Sequence, residues 1–433
     1  MDEARKKTDR FHIREHFDST FHSLRNRNFR YFWTGQCVSQ IGSAMQRTAQ
    51  YWLIYTLTDS PLAVGMLGVC QFVPILLLSL PAGALIDRIP KRPLIITTQV
   101  LYMAQAALLT LLTWSGVTQY WHIFVLSALQ GVTQSFDMPT RQTFLYELVG
   151  PADIMNAVSL HSTVVNLSKI FGPALAGLVM LQLGIPVCFL INTLSFIAVI
   201  GGLLMIRMPK TATQRTQIHI GREILDGLRF IRRQNSLVAV VLIFGIVSTF
   251  ALNHEVIAPV FADDVLGQGA NGYTGLLTAL GIGSLIGALF MATRSRSGVK
   301  GHRLILGGIA TALLQILTIC TTSYPISLIL LGLIGFANLV FLNTANVLFQ
   351  TNTPDEYRAR VMSIYSLLLF GSTPAGNFFA GVIMDNIPGD SGFVGCGLLT
   401  LLLLIPVLIM RRTVISDWMR GHKGPAVNKI DPP

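Results

Sequence analysis

The chain has 433 residues, 52% of them hydrophobic and only 12% charged. So few polar groups cannot clothe a water-soluble globule of this size, and most of its surface must face lipid. The formal charge of +11 suggests nucleic acid, but the basic residues are spread over many short connections, which suits anionic headgroups and argues against a nucleic-acid partner.

Residues 1–30 carry charges throughout and no apolar stretch, so they read as a tail and not as a signal peptide. His12 and His16 stand one helical turn apart in it, but a solvated tail helix explains them, and neither a metal nor another cofactor is expected. Segments of roughly twenty apolar residues span a ~30 Å hydrocarbon core as helices. Twelve are predicted: 31–57, 61–86, 93–114, 121–144, 158–182, 186–206, 236–261, 271–293, 304–322, 324–350, 360–384 and 392–410. Of the 32 Lys and Arg residues, 28 fall in the two tails and the even-numbered connections, Arg141 and Arg360 lie near the ends of their spans beside those connections, and the odd-numbered connections hold none. Basic residues resist translocation, which predicts cytoplasmic termini and a multi-pass protein of the cell membrane, the bacterial plasma membrane being expected. The other two, Arg47 and Lys169, lie within predicted spans.

The predicted fold is all-α, with twelve membrane helices in two pseudo-symmetric six-helix bundles. The tail (1–30) leads into the first bundle (31–206), a cytoplasmic linker (207–235), the second bundle (236–410) and a C-terminal tail (411–433). Internal repetition supports the halves. Gly83-Ala84-Leu85 recurs as Gly287-Ala288-Leu289, and Gly172 and Gly177 recur as Gly376 and Gly381, always 204 residues apart. In the linker, Ile220, Ile224, Leu225, Leu228 and Ile231 have helical spacing, with Arg222, Arg229, Arg232 and Arg233 between them. They predict an amphipathic helix lying at the interface as a tether. The five cysteines lie in or beside apolar spans without CxxC spacing and read as small hydrophobes.

At the end of helix 2 the sequence runs Gly83-Ala84-Leu85-Ile86-Asp87-Arg88-Ile89-Pro90-Lys91-Arg92. It resembles the loop 2-3 signature of the major facilitator superfamily, with Pro90 where a glycine is usual. Phe136-Asp137-Met138-Pro139-Thr140-Arg141, Gly172-Pro173 and Pro354-Asp355-Glu356-Tyr357-Arg358 are similar to the branch that includes enterobactin exporters and macrolide efflux permeases. The resemblance covers about residues 20–410 and implies transport by alternating access around a mid-membrane site between the halves. It also implies a gate latch, in which Asp87 accepts hydrogen bonds from the N-terminus of helix 11 in an outward-facing state. Gly83 would stand beside it, and Arg88, Lys91 and Arg92 would offer partners to Asp137 or Glu147.

A lone charge in mid-bilayer costs about 2.5–3.5 kcal/mol on insertion scales, so charged residues within spans face a cavity or a partner. Asp137 and Arg141, four apart on helix 4, read as a gating or structural pair. Arg47 lies on helix 1 with Gln36, Gln40, Gln46 and Gln50, and Lys169 follows Asn166 on helix 5, where the family's glycine motif has glycines. Both cations read either as substrate ligands or as partners of buried acids, and Gln50 and Asn166 stand with them as candidate contacts. Glu255, with His254 beside it, reads either as the proton-coupling site or as a buried glutamate paired to Arg47. Asn343 and Asn346 on helix 10 are candidate cavity residues.

No phosphate loop, HExxH or GxSxG occurs, so neither an ATP-driven pump nor an enzyme is expected. The expected protein is a monomeric, proton-coupled exporter of a small organic molecule, either a siderophore or an amphipathic drug. A lysophospholipid carrier would instead need an apolar side opening beside helices 5 and 8. A transport-inactive receptor would have its internal charges mutually paired and no polar cavity.

Overall fold

A computed structural model describes residues 22–86, 89–206, 220–294, 300–387 and 389–419. Asp87, Arg88, His12 and His16 lie outside the described residues. Asn26 opens α1 (Arg27–Thr58) by accepting from the backbone N–H groups of Asn28 at 3.0 Å and Phe29 at 3.3 Å, which satisfies two donors the first turn leaves free. α2 (Pro61–Ile86) and α3 (Lys91–Trp114) follow. The next helical stretch, Tyr120–Leu183, breaks at Gly150 (φ 73°, ψ 177°) into α4 (120–149) and α5 (151–183). Glycine takes that conformation without strain, and Pro151 beside it has no N–H to continue the preceding helix, so the pair ends one helix and starts the next. The connection expected over 145–157 is therefore helical on both sides of a one-residue break.

The chain continues through α6 (Ile185–Met205), the linker helix α7 (Ile220–Arg233), α8 (Asn235–Phe250) and α9 (His254–Val260). Then come α10 (Gly269–Thr293), α11 (His302–Leu317), α12 (Tyr324–Thr351), α13 (Asp355–Asn386), α14 (Ser391–Met410) and α15 (Arg412–Met419). Ten helical stretches are long and apolar enough to cross a membrane, with α4 and α5 counted together. α1 has the length, 32 residues, but falls short in apolarity because of its glutamines and Arg47. The expectation of twelve spans counts α4 and α5 separately and includes α1.

The predicted helix over 236–261 is broken. α8 stops at Phe250 and α9 starts at His254. Side-chain amides satisfy the carbonyls that the break frees. Asn253 Nδ2 donates to the Thr249 carbonyl at 2.8 Å, and Gln315 Nε2 from α11 donates to the Ala251 carbonyl at 3.1 Å. Without them, bare carbonyls in a dry interior would cost several kcal/mol each.

The two bundles repeat one packing scheme. α1 packs on α5 and α6, α2 on α4, and α3 on α4 and α6. Likewise α8 packs on α13 and α14, α10 on α12, and α11 on α12 and α14. The repeat-related glycines play matching parts. Gly172 lets α5 touch the backbone of α1 at Ala44 and Met45, and Gly376 lets α13 touch that of α8 at Thr249. Gly177 and Gly381 instead sit between bundles, the first against Thr274 of α10 and the second against Pro61 and Gly65 of α2. Close backbone approach at small residues is how membrane helices gain packing energy when lipid offers no hydrophobic contrast.

Buried side chains form three clusters, and their distribution defines the conformation. Towards the end away from the N-terminus, Met45 to Leu67 of the first bundle share one core with Val256 to Leu277, Met384 and Phe393 of the second. At the other end, here called the basic end, the bundles have separate cores: Phe29, Phe144 and Leu203 in the first, Phe244, Phe341 and Phe349 in the second. The bundles thus share a buried core at one end only, although α2 and α13 also touch farther along, at Leu76 and Gly371. α7 docks on the second bundle, with Phe230 stacked on Tyr357 at 4.5 Å and Gly227 against Ile364 and Arg360 of α13. Ile231 is buried as its spacing suggested, whereas Leu225 and Leu228 stay exposed.

Candidate functional site

A cavity of about 690 Å³ lies in the first bundle, every lining residue coming from α1–α6, and it falls within the size range of small-molecule sites. Its wall carries nine glutamines: Gln36, Gln40 and Gln46 of α1, Gln71 of α2, Gln99 and Gln105 of α3, and Gln130, Gln134 and Gln142 of α4. Arg47, Asp137, Arg141, His161 and Asn192 also line it. A second hollow of about 310 Å³ shares Gln134, Met138 and Gln142 with it and extends between α2 and α13, bordered by Ile75, Leu76, Leu367 and Phe370.

Asp137 and Arg141 form the tightest polar cluster on this wall. The guanidinium binds Asp137 Oδ2, with Nε at 3.1 Å, and also donates to Gln36 Oε1. Thr98 Oγ1 (2.7 Å) and Gln99 Nε2 (2.8 Å) donate to Asp137 Oδ1. Every lone-pair direction of the carboxylate therefore faces a donor from α3 or α4, and the pair is almost wholly buried. A pair satisfied from behind in this way is a fixed part of the wall.

Arg47 and Glu255 pair across the bundles, from α1 to α9, at 3.7 Å. Their side chains are 40% and 45% exposed, so the bond is wet and worth at most about 1 kcal/mol. Lys169 stands on α5 where that helix touches α10 at Gly281, and it keeps accessible surface. The structure thus joins Arg47 to Glu255 across the bundles, while Lys169 and Glu255, unlike Arg47, are not part of the cavity wall. Beyond them, away from the basic end, Trp52 stacks on Tyr273 at 5.9 Å, Tyr55 Oη donates to Asp264 at 2.5 Å, and Ser60 Oγ donates to Asp385 at 3.1 Å. Each contact joins the first bundle to the second, and together they close that end.

His254 does not join Glu255 in its contact with Arg47. It is buried beside the α8–α9 break, and its Nε2 lies 2.6 Å from Asn338 Nδ2, whose Oδ1 accepts from Thr311 at 2.9 Å. Gln50 is also buried and donates to Ser127 at 2.6 Å. Asn166 is half-buried on α5 and outside the cavity wall. On α12, Asn346 accepts from Gln350 at 2.7 Å and Asn343 is exposed, and neither lines the cavity.

The basic residues after α2 are engaged differently from the expectation. Lys91 Nζ donates to the Ile86 carbonyl at 2.6 Å, and Arg92 donates to the carbonyls of Leu203 and Leu204 at 3.0 and 2.9 Å. Helix C-termini carry partial negative charge and unpaired carbonyls, which attract these side chains. Asp137 is already filled by Arg141. Gly83 has open space around its α-carbon, although its repeat partner Gly287 packs on Phe336 of α12.

The glutamine wall went unread beyond helix 1. Its signal was available, since an amide inside an apolar span carries the same cost argument as a charge and marks a cavity or a partner.

Residues 18–427 match a family described as transmembrane secretion effector. The chain is 26% identical to the staphyloferrin A transporter of Staphylococcus aureus, over 82% of this chain and 89% of that one. It is 25% identical to the multidrug efflux pump Tap of Mycolicibacterium fortuitum, over 86% and 92% of the two chains. Among solved structures, the nucleoside transporter NupG superposes with a TM-score of 0.70 at 10% identity, over 92% of this chain and all (100%) of that chain. A bacterial homologue of the iron transporter ferroportin in an inward-facing state gives 0.68 at 15% identity, over 89% and 98%. At such identities the superpositions speak for the fold alone.

Proposed function

Because the chain belongs to the transmembrane secretion effector family of the major facilitator superfamily, and so is a multi-pass membrane transporter, we propose that it exports a small organic molecule by proton-coupled alternating access. One observation carries this reading: the bundles share a buried core at one end and have separate cores at the other, and the first bundle holds a polar cavity. With twelve spans and the basic end in the cytoplasm, as the distribution of Lys and Arg favours, we read the conformation as inward-facing and ready to load. The cavity lies within one chain, so a monomer suffices. Siderophores and amphipathic drugs, the cargo named for the relatives, are the leading classes.

In this scheme Arg47 and Lys169 receive the substrate's acidic or electron-rich group, and Glu255 carries the proton. Ionised Glu255 holds Arg47 and helps tie α1 to α9 while the outer end is closed. Opening of the outer end during export breaks the pair and frees Glu255 to take a proton from outside; the protonated carrier returns to the inward-facing state, where discharge of the proton to the cytoplasm restores the pair. A bond this weak suits a contact that must break in every cycle. His254, committed to Asn338, steadies the α8–α9 break instead. The Asp87 latch forms in the opposite state, when α13 swings onto Gly83 and fills the space now open there.

The polar cavity weighs against a transport-inactive receptor. The lipid-carrier reading needs an opening beside helices 5 and 8, where α5 and α10 are instead in contact at Gly177–Thr274 and Gly281–Lys169. The test uses membrane vesicles and a substrate first identified by screening knockout cells for drug sensitivity and growth under iron limitation. Glu255→Gln is expected to reduce accumulation driven by a pH gradient at least tenfold while changing substrate affinity less than threefold. A variant still driven by the gradient removes Glu255 from the coupling step.

A further inference from the structure

The cavity wall offers many amides and almost no free negative charge. Its single carboxylate, Asp137, is consumed by Arg141, Thr98 and Gln99. No hydrogen bond within the described protein is assigned to the side chains of Gln40, Gln71, Gln130, Gln134 or Gln142. Five carboxamides therefore present their N–H and C=O groups to the cavity. The amide nitrogens of Gln36 and Gln105 are buried without an acceptor, so the wall holds more donors than it can satisfy. A buried unpaired donor costs about 1–3 kcal/mol, and a ligand supplying acceptor oxygens recovers that cost.

From this chemistry we infer that the substrate is an oxygen-rich, non-cationic molecule, bound by a carboxamide cage in the first bundle with its acidic or electron-rich end towards Arg47. This rests on the transport reading above and narrows it. A lipophilic cation would need an unpaired carboxylate or a box of free aromatic faces, whereas of the wall's rings Tyr102 is stacked on Phe196 at 5.8 Å and Phe32 packs edge-on against Phe144 at 5.7 Å. Asp137 is already neutralised, and Arg47 and Arg141 raise the cost of a second cation. Carboxamides bind hydroxyl, carbonyl, catechol and carboxylate oxygens equally well, since each brings two donors and an acceptor. The hollow between α2 and α13, with its apolar border, leaves room for a hydrocarbon appendage but no partner for a charged one.

The test is equilibrium binding to the full chain in lipid nanodiscs. The probes are iron-free enterobactin and citrate, which are oxygen-rich without a cation, and tetraphenylphosphonium, a cation without oxygen. At least one oxygen-rich probe should bind tenfold or more tightly than the phosphonium. Gln71→Leu and Gln134→Leu, which keep the shape and remove the amide, should each weaken that probe at least tenfold and leave the phosphonium unchanged. Using two variants guards against one that misfolds, and an unshifted melting temperature verifies each. Tighter binding of the phosphonium, failure of both oxygen-rich probes to bind, or amide losses without effect would overturn the inference. Binding that persists without gradient-driven transport would instead count against proton-coupled export and leave the substrate class standing.

Discussion

Gly65→Leu is expected to cut transport at least tenfold while leaving the amount of folded protein near normal. A β-carbon at Gly65 would meet the carbonyl oxygen of Asn377 at 2.5 Å and the α-carbon of Gly381 at 3.1 Å. Both are backbone atoms of α13 in the opposite bundle, so no rotamer change relieves the clash. The contact exists only while the outer end is closed. Overpacking costs about 1–3 kcal/mol, and placed on one state of a two-state equilibrium it shifts populations about 5- to 150-fold. Gly281→Leu should act alike, because its β-carbon would meet the Lys169 carbonyl at 2.8 Å on the α5–α10 side. Labelling of cysteines placed at the outer end should rise in both variants. Normal transport by both would mean that this closure is not part of the cycle.

The second large effect lies at Asp137. Asp137→Asn leaves the Arg141 guanidinium buried without a counter-charge, with only neutral amide oxygens as acceptors. Removing one partner of a buried ion pair costs about 3–5 kcal/mol, because the remaining charge cannot regain its water. A marked fall in thermal stability in detergent is therefore expected. The double variant Asp137→Asn with Arg141→Gln removes both charges and should melt above the single one. If the double variant is the less stable, the pair is not a structural unit and Asp137 is free to act on substrate.

Much of the helical layout was legible because lipid imposes a length and a composition on each span, and the boundaries of α2, α12 and α14 fall close to their apolar limits. The break at Gly150 was invisible to hydropathy, since the polar residues after it continue the helix. The interruption at Ala251–Asn253 was hidden for the opposite reason: the segment is apolar on both sides, and the groups that satisfy its carbonyls include Gln315, distant in sequence. At the site, charge cost alone singled out Arg47, Lys169, Glu255, Asp137 and Arg141, and the structure pairs Arg47 with Glu255 and Asp137 with Arg141. The sequence could not tell which were paired, because pairing depends on α1, α3 and α9 as much as on the neighbours in sequence. Asn343 and Asn346 show the limit. Polar residues on a helix face do not reveal whether that face meets the cavity or another helix. The repeat was more informative than its short matches suggested, because Gly172 with Gly376, and Gly177 with Gly381, occupy equivalent contacts in the two halves.

The most direct test of one-ended closure is a pair of electron–electron distance measurements in nanodiscs, in a background lacking the five native cysteines. One pair of spin labels at Ser79 and Ser363, both exposed on α2 and α13, reports the basic end, and another at Ser115 and Asn386 reports the outer end. Glu255→Gln, which removes the tie to Arg47, should shorten the first distance and lengthen the second, and Gly65→Leu should move both the same way. Two distances that stay fixed, or that change in the same sense, would contradict an alternating-access cycle.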